Sequence, residues 1–243
     1  METIKTKSIG SIVAEDYRTA QVFRDHGIDF CCKGNRDITE VAHKHSLDPD
    51  VLIEEIEAIK LQDHSDQIDF NSWPLDLLAD YIEKKHHRYV EEKTVVLKQY
   101  LDKLCRVHGG RHPELHEIAS HFNQASAALA MHMKKEELVL FPAVRKMVAA
   151  TISGAAMKTP HFGSVNNPIK QMMDEHETEG DRFREIQRLS DNYSPPEDAC
   201  STYRVAFSLL KEFEADLHRH IHLENNILFP KAVSLEKKLE TAG

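Results

Sequence analysis

The sequence predicts an all-α fold, a small helical domain followed by a four-helix bundle. Gly and Pro are scarce, nine of each among 243 residues, and strand-like alternation is hard to find. Four long stretches, about 75–106, 114–148, 166–190 and 197–237, carry apolar residues at helical spacing. The breaks between them, 108–113, 151–168 and 193–198, run short, long, short. That is the outline of two helical hairpins joined by a crossover.

The N-terminal elements follow in order. A helix is expected over about 16–26, stopped by Gly27 as its C-cap, and another over about 38–45. A third should run from about 50 to 60, with Asp48-Pro49 as its start. Residues 61–74 are polar and aperiodic. The expected division is therefore a small domain over 1–65, a linker over 66–74 and the bundle over 75–237.

Composition narrows the function. Apolar residues make up 41% and charged residues 29%, which excludes a disordered chain and a membrane protein. The first residues lack the apolar core of a signal peptide, so a cytoplasmic location is expected. A net charge of −9 argues against nucleic acid, whose phosphates demand clustered Lys and Arg. The four cysteines form no CxxC, so neither a zinc knuckle nor a disulfide framework is indicated. The unusual count is sixteen histidines, and histidine is the commonest metal ligand.

Two segments repeat. His132-x3-Glu136, ending in Leu140-Phe141-Pro142, lines up with His220-x3-Glu224, ending in Leu228-Phe229-Pro230. His87 and His176 precede them at similar separations, so each hairpin offers one His and then an HxxxE. A bare HxxxE is a weak signal, because an i,i+4 pair commonly sits on a solvated face. Position on the helix decides. Ile118, Phe122, Ala125 and Leu129 lead into His132 and Glu136; Leu210, Phe213 and Leu217 lead into His220 and Glu224; Ile169, Met172 and Met173 lead into His176. All five polar residues therefore fall on core-facing stripes. Lone ionised groups resist burial, and a two-metal centre removes that cost; the alternative is a self-satisfied polar network. On the first helix, the stripe through Leu75, Leu78, Ile82, Tyr89, Val96 and Tyr100 selects His86 rather than His87.

These motifs resemble the hemerythrin-like di-iron bundle. Together with Gly27-Ile-Asp-Phe-Cys-Cys-Lys-Gly34, they resemble the iron–sulfur cluster repair di-iron proteins, the RIC family, over nearly the whole chain. The resemblance implies His87 as the first-helix ligand, with His86 as the alternative. It implies metal ligation by His87, His132, Glu136, His176, His220 and Glu224, two non-haem irons with an oxo bridge, two His per ion and both Glu free to bridge. Oxygen-carrying hemerythrins have HxxxH on the third helix, whereas here His176 is followed by Gly180. Fewer protein ligands leave room for exchange.

Cys31 and Cys32 form the second candidate site, a thiol pair for redox work or iron handover in the repair family. Adjacent cysteines do not readily wrap one tetrahedral zinc, and a disulfide between them is strained. Two apolar thiols filling space is the other reading. Cys105 and Cys200 read as structural, and His222 as a residue that could stand behind the metal ligands. The resemblance implies repair of iron–sulfur proteins damaged by nitrosative or oxidative stress, with NO or O2 as small ligands and no nucleic-acid or membrane partner. A homodimer stays open, as do an O2 or NO carrier or sensor and an iron store. A mobile small domain joined by a polar linker is expected.

Overall fold

Capping side chains set where the small helices begin. Ser8, Asp37 and Asp48 accept from the backbone N–H of Ser11 (3.2 Å), Glu40 (2.8 Å) and Asp50 (2.9 Å). They open α2 (Ile9–Glu15), α4 (Ile38–Lys44) and α5 (Pro49–Lys60), the last with proline in its first turn. A short α1 (Glu2–Lys5) precedes them. α3 (Ala20–Asp25) follows a 3-10 turn, and Gly27 closes it in the left-handed region at φ 64°. α1 and α2 are additions to the three helices expected by position. The computed structural model describes residues 2–61, 68–154 and 160–242; the expected linker residues 66–67 and part of the 151–168 connection lie outside the described residues.

Four rods make the bundle. The first is α6 (Leu75–Tyr81) and α7 (Arg88–His108), joined by a π turn at Ile82–His87. The second is α8 (Glu114–Lys135) and α9 (Phe141–Ser153), joined by a π turn at Glu136–Leu140. α10 (Asn166–Leu189) is the third. α11 (Ser201–Leu223) and α12 (Phe229–Ala242) form the fourth, with a π turn at Glu224–Leu228. The described residues contain no strand, only one isolated bridge between Ser8 and Asp37. The repeated Leu-Phe-Pro explains two of the π turns. Pro142 and Pro230 lack the N–H an α-helix needs and crowd the carbonyl four residues back, so the helix widens just before them.

The apolar interior is in two parts. One cluster joins bundle residues such as Leu101, Phe122, Phe183 and Phe213 to Ile9, Ile12, Phe23 and Phe30 of the small domain. The other gathers Leu78, Ile82, Phe141, Met147 and Phe229 at the opposite end. The HxxxE segments lie between them.

The expectation of a free arm is corrected by the contacts. Phe70, expected in a polar linker, is buried against Trp73 and Tyr81, at 4.9 and 5.1 Å between ring centroids. Asn71 donates to the Ala14 carbonyl at 2.7 Å. The loop after α3 is held by Asn226, which donates to the carbonyls of Phe30 and Cys31, both at 3.3 Å. His222 packs its ring on Tyr17 and Phe30, at 5.6 and 5.8 Å, and burial drops its pKa to about 3. It serves the contact between the two parts of the chain and hydrogen bonds to Asn226, not to the candidate ligands.

One buried carboxyl on α11 has a consequence for stability. Burial pushes Glu214 up to about 7 from 4.5, only partly offset by Tyr193 and Arg184. Its folded pKa exceeds the unfolded one, so the unfolded chain sheds this proton first and stability falls as pH rises through 4.5–7. Glu214→Gln is expected to raise Tm by several degrees above pH 7, from about 2–3 kcal/mol, and to change little near pH 5. Calorimetry across that range checks it.

Candidate metal centre

Between the two apolar clusters lies a polar layer. His87, His132, Glu136, His176, His220 and Glu224 are each at most 3% exposed. Their ligating atoms form two overlapping groups, each with all atoms within 4.8 Å of one another: His87, Glu136, His220, Glu224 and His132, Glu136, His176, Glu224. Both carboxylates belong to both groups. Glu136 Oε2 lies 3.3 Å from His87 Nε2 and 3.4 Å from His132 Nε2. Glu224 lies 3.3 Å from His176 Nε2 and 3.0 Å from His220 Nε2.

The π turn at Ile82–His87 brings His87 rather than His86 to this layer. Five residues rather than four separate the partners of a π turn, so Ile82 and His87 share a face and the 3.6-residue count slips by one. His87 reaches the layer. His86 stands behind it, its ring stacked on His220 at 5.6 Å and its Nδ1 3.1 Å from both oxygens of Asp216.

Outer partners fix the rings. His87 Nδ1 donates to Glu137 (3.0 Å), His132 Nδ1 to Glu175 (2.8 Å) and His176 Nδ1 to Asn225 Oδ1 (2.9 Å), which turns each Nε2 lone pair inward. Lys134 and Lys135 pair with Glu137 and Glu175. The rings of His87 and His176 also stack on Phe141 and Phe229, at 5.6 and 6.0 Å. These outer residues were missed in the sequence, where each is simply the neighbour of a candidate ligand. The internal repeat carries the signal: Glu137 and Asn225 occupy equivalent positions, as do Phe141 and Phe229.

The donor set fits a metal. Both Glu136 oxygens, Glu224 Oε2 and His87 Nε2 are buried without a hydrogen-bond partner. With Nδ1 donating outward on both rings, the facing Nε2 atoms of His132 and His176, 2.9 Å apart, both present lone pairs unless one takes a proton. Burial raises the Glu136 and Glu224 carboxyls, but the histidines beside them outweigh it and both end below their usual value. Burial lowers His132, yet Glu136 and Glu175 lift it to about 10. Buried carboxylates facing imidazole lone pairs are what cations satisfy. Glu175→Gln is expected to weaken metal binding about 10–100-fold while leaving the ligands in place. Metal titration of both proteins tests this.

The thiols come close to this layer. Asn225, while accepting from His176, donates to the Cys31 carbonyl at 3.2 Å. Cys32 Sγ donates to the His176 carbonyl at 3.4 Å. Cys32, burial and Asp29 hold the Cys31 thiol well above its usual range. Cys105 donates to the Leu115 carbonyl and Cys200 lies 3.2 Å from His108, both remote in sequence from the loop.

Known proteins match over the same regions. Residues 78–232 match the hemerythrin HHE cation-binding domain, and residues 5–60 match ScdA_N, a domain of unknown function. The iron-sulfur cluster repair protein YtfE of Yersinia pseudotuberculosis (serotype O:1b, strain IP 31758) is 33% identical over 229 residues, covering 94% of this chain and 97% of the relative. YtfE of Yersinia pestis (strain Pestoides F) matches with the same identity and coverage. With four histidines and two shared glutamates buried in a bundle of this kind, and a likeness that runs nearly end to end, the chain belongs to the hemerythrin-like iron–sulfur cluster repair proteins.

Proposed function

We propose that the six side chains hold two iron ions, bridged by Glu136, Glu224 and an oxo group, and that the protein restores iron–sulfur clusters damaged by nitrosative or oxidative stress. The observation that carries the metal reading is the buried layer of partnerless carboxylate and imidazole atoms shared between two ligand groups. The repair reading draws on the printed names of the relatives. No helix among the described residues is long and apolar enough to cross a membrane. Bound iron supplies a redox-active Lewis acid that takes small ligands such as NO or O2 and can be given up to a client.

The chain's own part is positional. Glu137, Glu175 and Asn225 keep protons on the outward nitrogens, so the inward ones stay free for metal. The apolar clusters on either side keep bulk water from the layer. Cys31 and Cys32 are the thiols through which iron would leave. A carrier or sensor of O2 or NO has less support, because Gly180 stands where an HxxxH would add an imidazole and the relatives are named for repair.

The test is transfer. Iron-loaded protein should restore activity to a damaged iron–sulfur dehydratase and lose iron to a chelator within minutes. Iron retained for hours, with a reversible O2 adduct and no recovery of the dehydratase, would favour the carrier.

A further inference from the structure

The turn at Asp29–Cys32 lies outside the six-residue layer, yet its donor atoms are spaced like ligands. Cys31 Sγ and Cys32 Sγ are 3.8 Å apart, and Asp29 Oδ1 lies 3.4 Å from Cys31 Sγ. All three donor atoms fall within 4.8 Å of one another. Two sulfurs bound at ~2.3 Å to a tetrahedral ion stand about 3.8 Å apart, and a sulfur and a carboxylate oxygen about 3.6 Å apart. Two of the three separations therefore already match edges of a metal tetrahedron.

Adjacent cysteines were expected not to wrap such an ion alone. Here they supply only two corners, and Asp29 supplies the third. The same oxygen accepts from the backbone N–H of Cys31 (3.1 Å) and Cys32 (2.9 Å), which fixes the turn that carries both thiols. Arg184 Nη1 steadies the other carboxylate oxygen at 3.2 Å. α10 admits the Cys32 thiol because residue 180 is glycine: a Cβ there would stand 3.2 Å from Cys32 Sγ. Cys31 also lines a cavity of about 910 Å³ between the small domain and the bundle, whose wall mixes Asp25, Glu212 and Asp216 with Arg24, Lys85 and Arg219 and gives the turn a route to solvent.

We infer that Asp29, Cys31 and Cys32 form a third, mononuclear site for a thiophilic divalent cation, ferrous iron or zinc by the chemistry of its ligands. Binding replaces two S–H bonds by two metal–sulfur bonds, both protons pass to solvent and no electron moves. The fourth corner is left for water or for a sulfur ligand of a client. Through Asn225 and His176 the site is one hydrogen-bonded amide away from the layer. It would give iron leaving the layer its first soft ligands; that role rests on the iron reading above, whereas the binding itself does not.

Cobalt(II) is the probe, because sulfur-to-cobalt charge transfer gives a near-ultraviolet band that histidine and carboxylate ligands do not. The full-length, metal-free, reduced chain should develop this band and saturate it at one thiolate-bound cobalt. Cys31→Ser with Cys32→Ser should abolish the band. Asp29→Asn keeps an oxygen for the turn but loses the charge of a direct ligand, and should weaken binding by more than about tenfold. No band in the wild-type chain, or equal intensity in the double serine variant, would overturn the site. Unchanged affinity in Asp29→Asn would overturn the three-ligand assignment. A sulfur band with no metal in the six-residue layer would keep this proposal and remove the iron reading; metal in the layer without the band would do the reverse.

Discussion

Alanine at Glu136, or at Glu224, is expected to cost the protein both metal ions rather than one. Each carboxylate is a member of both ligand groups, so removing either takes a donor from both ions at once. Partners one layer further out are worth about 10–100-fold in metal affinity, so loss of a shared ligand should cost more than ~100-fold. His87→Ala makes the contrast. His87 belongs to one group only, and its removal should first empty the position it shares with His220. Metal per chain after gel filtration, with helicity measured alongside, reads the result. Glu136→Gln guards against a folding failure, since it keeps the shape and one oxygen. Retention of one tightly held ion in either alanine variant would separate that glutamate from a bridging role.

The second large effect is expected where the small domain meets the bundle. A Cβ on Gly34 would stand 2.4 Å from the Phe30 carbonyl oxygen, 2.5 Å from Asn226 Oδ1 and 3.0 Å from the Gly10 Cα. Two of these neighbours are backbone, so they cannot swing aside. Gly10 N–H also donates to the Gly34 carbonyl at 2.7 Å, which ties α2 to the loop at this point. Gly34→Val is therefore expected to force the loop off Asn226 at a cost of about 3 kcal/mol or more, lowering Tm by ~6 °C or more. Cys32 should become more reactive toward thiol reagents, because its contact with α10 depends on the same docking. Gly110→Ala is the control: a Cβ there meets nothing within 4 Å, and Tm should stay within about a degree. Equal behaviour of the two variants would mean that the docking does not depend on close approach at Gly34.

Most of the fold was legible because helical period and sparse glycine and proline are local signals. The four rods lie where the apolar stripes put them, and the two HxxxE segments were legible as a repeat. Two kinds of information were not local. A π turn adds a residue to one turn of helix, so a stripe counted at 3.6 residues picks His86 where the backbone delivers His87. Likewise, Phe70 and Trp73 sit in a run too polar to read as packed, and only the bundle reveals what they cover. The repeat held more than was drawn from it. Position 137 in the first hairpin is glutamate and its counterpart 225 is asparagine. A carboxylate can only accept, and Glu137 accepts the His87 N–H hydrogen bond; an amide accepts and donates, and Asn225 spends its N–H on the Cys31 carbonyl. The one chemical difference between the two halves at this position is the one that couples the layer to the thiols.

The central claim is that two iron ions occupy this layer and share Glu136 and Glu224. Anomalous-difference maps from crystals of the iron-loaded protein, collected on either side of the iron edge, test it most directly. Two peaks about 3.5–4 Å apart are expected, one beside His87 and His220 and the other beside His132 and His176, with both glutamates reaching both peaks. A single peak, or two peaks that do not share the carboxylates, would contradict it.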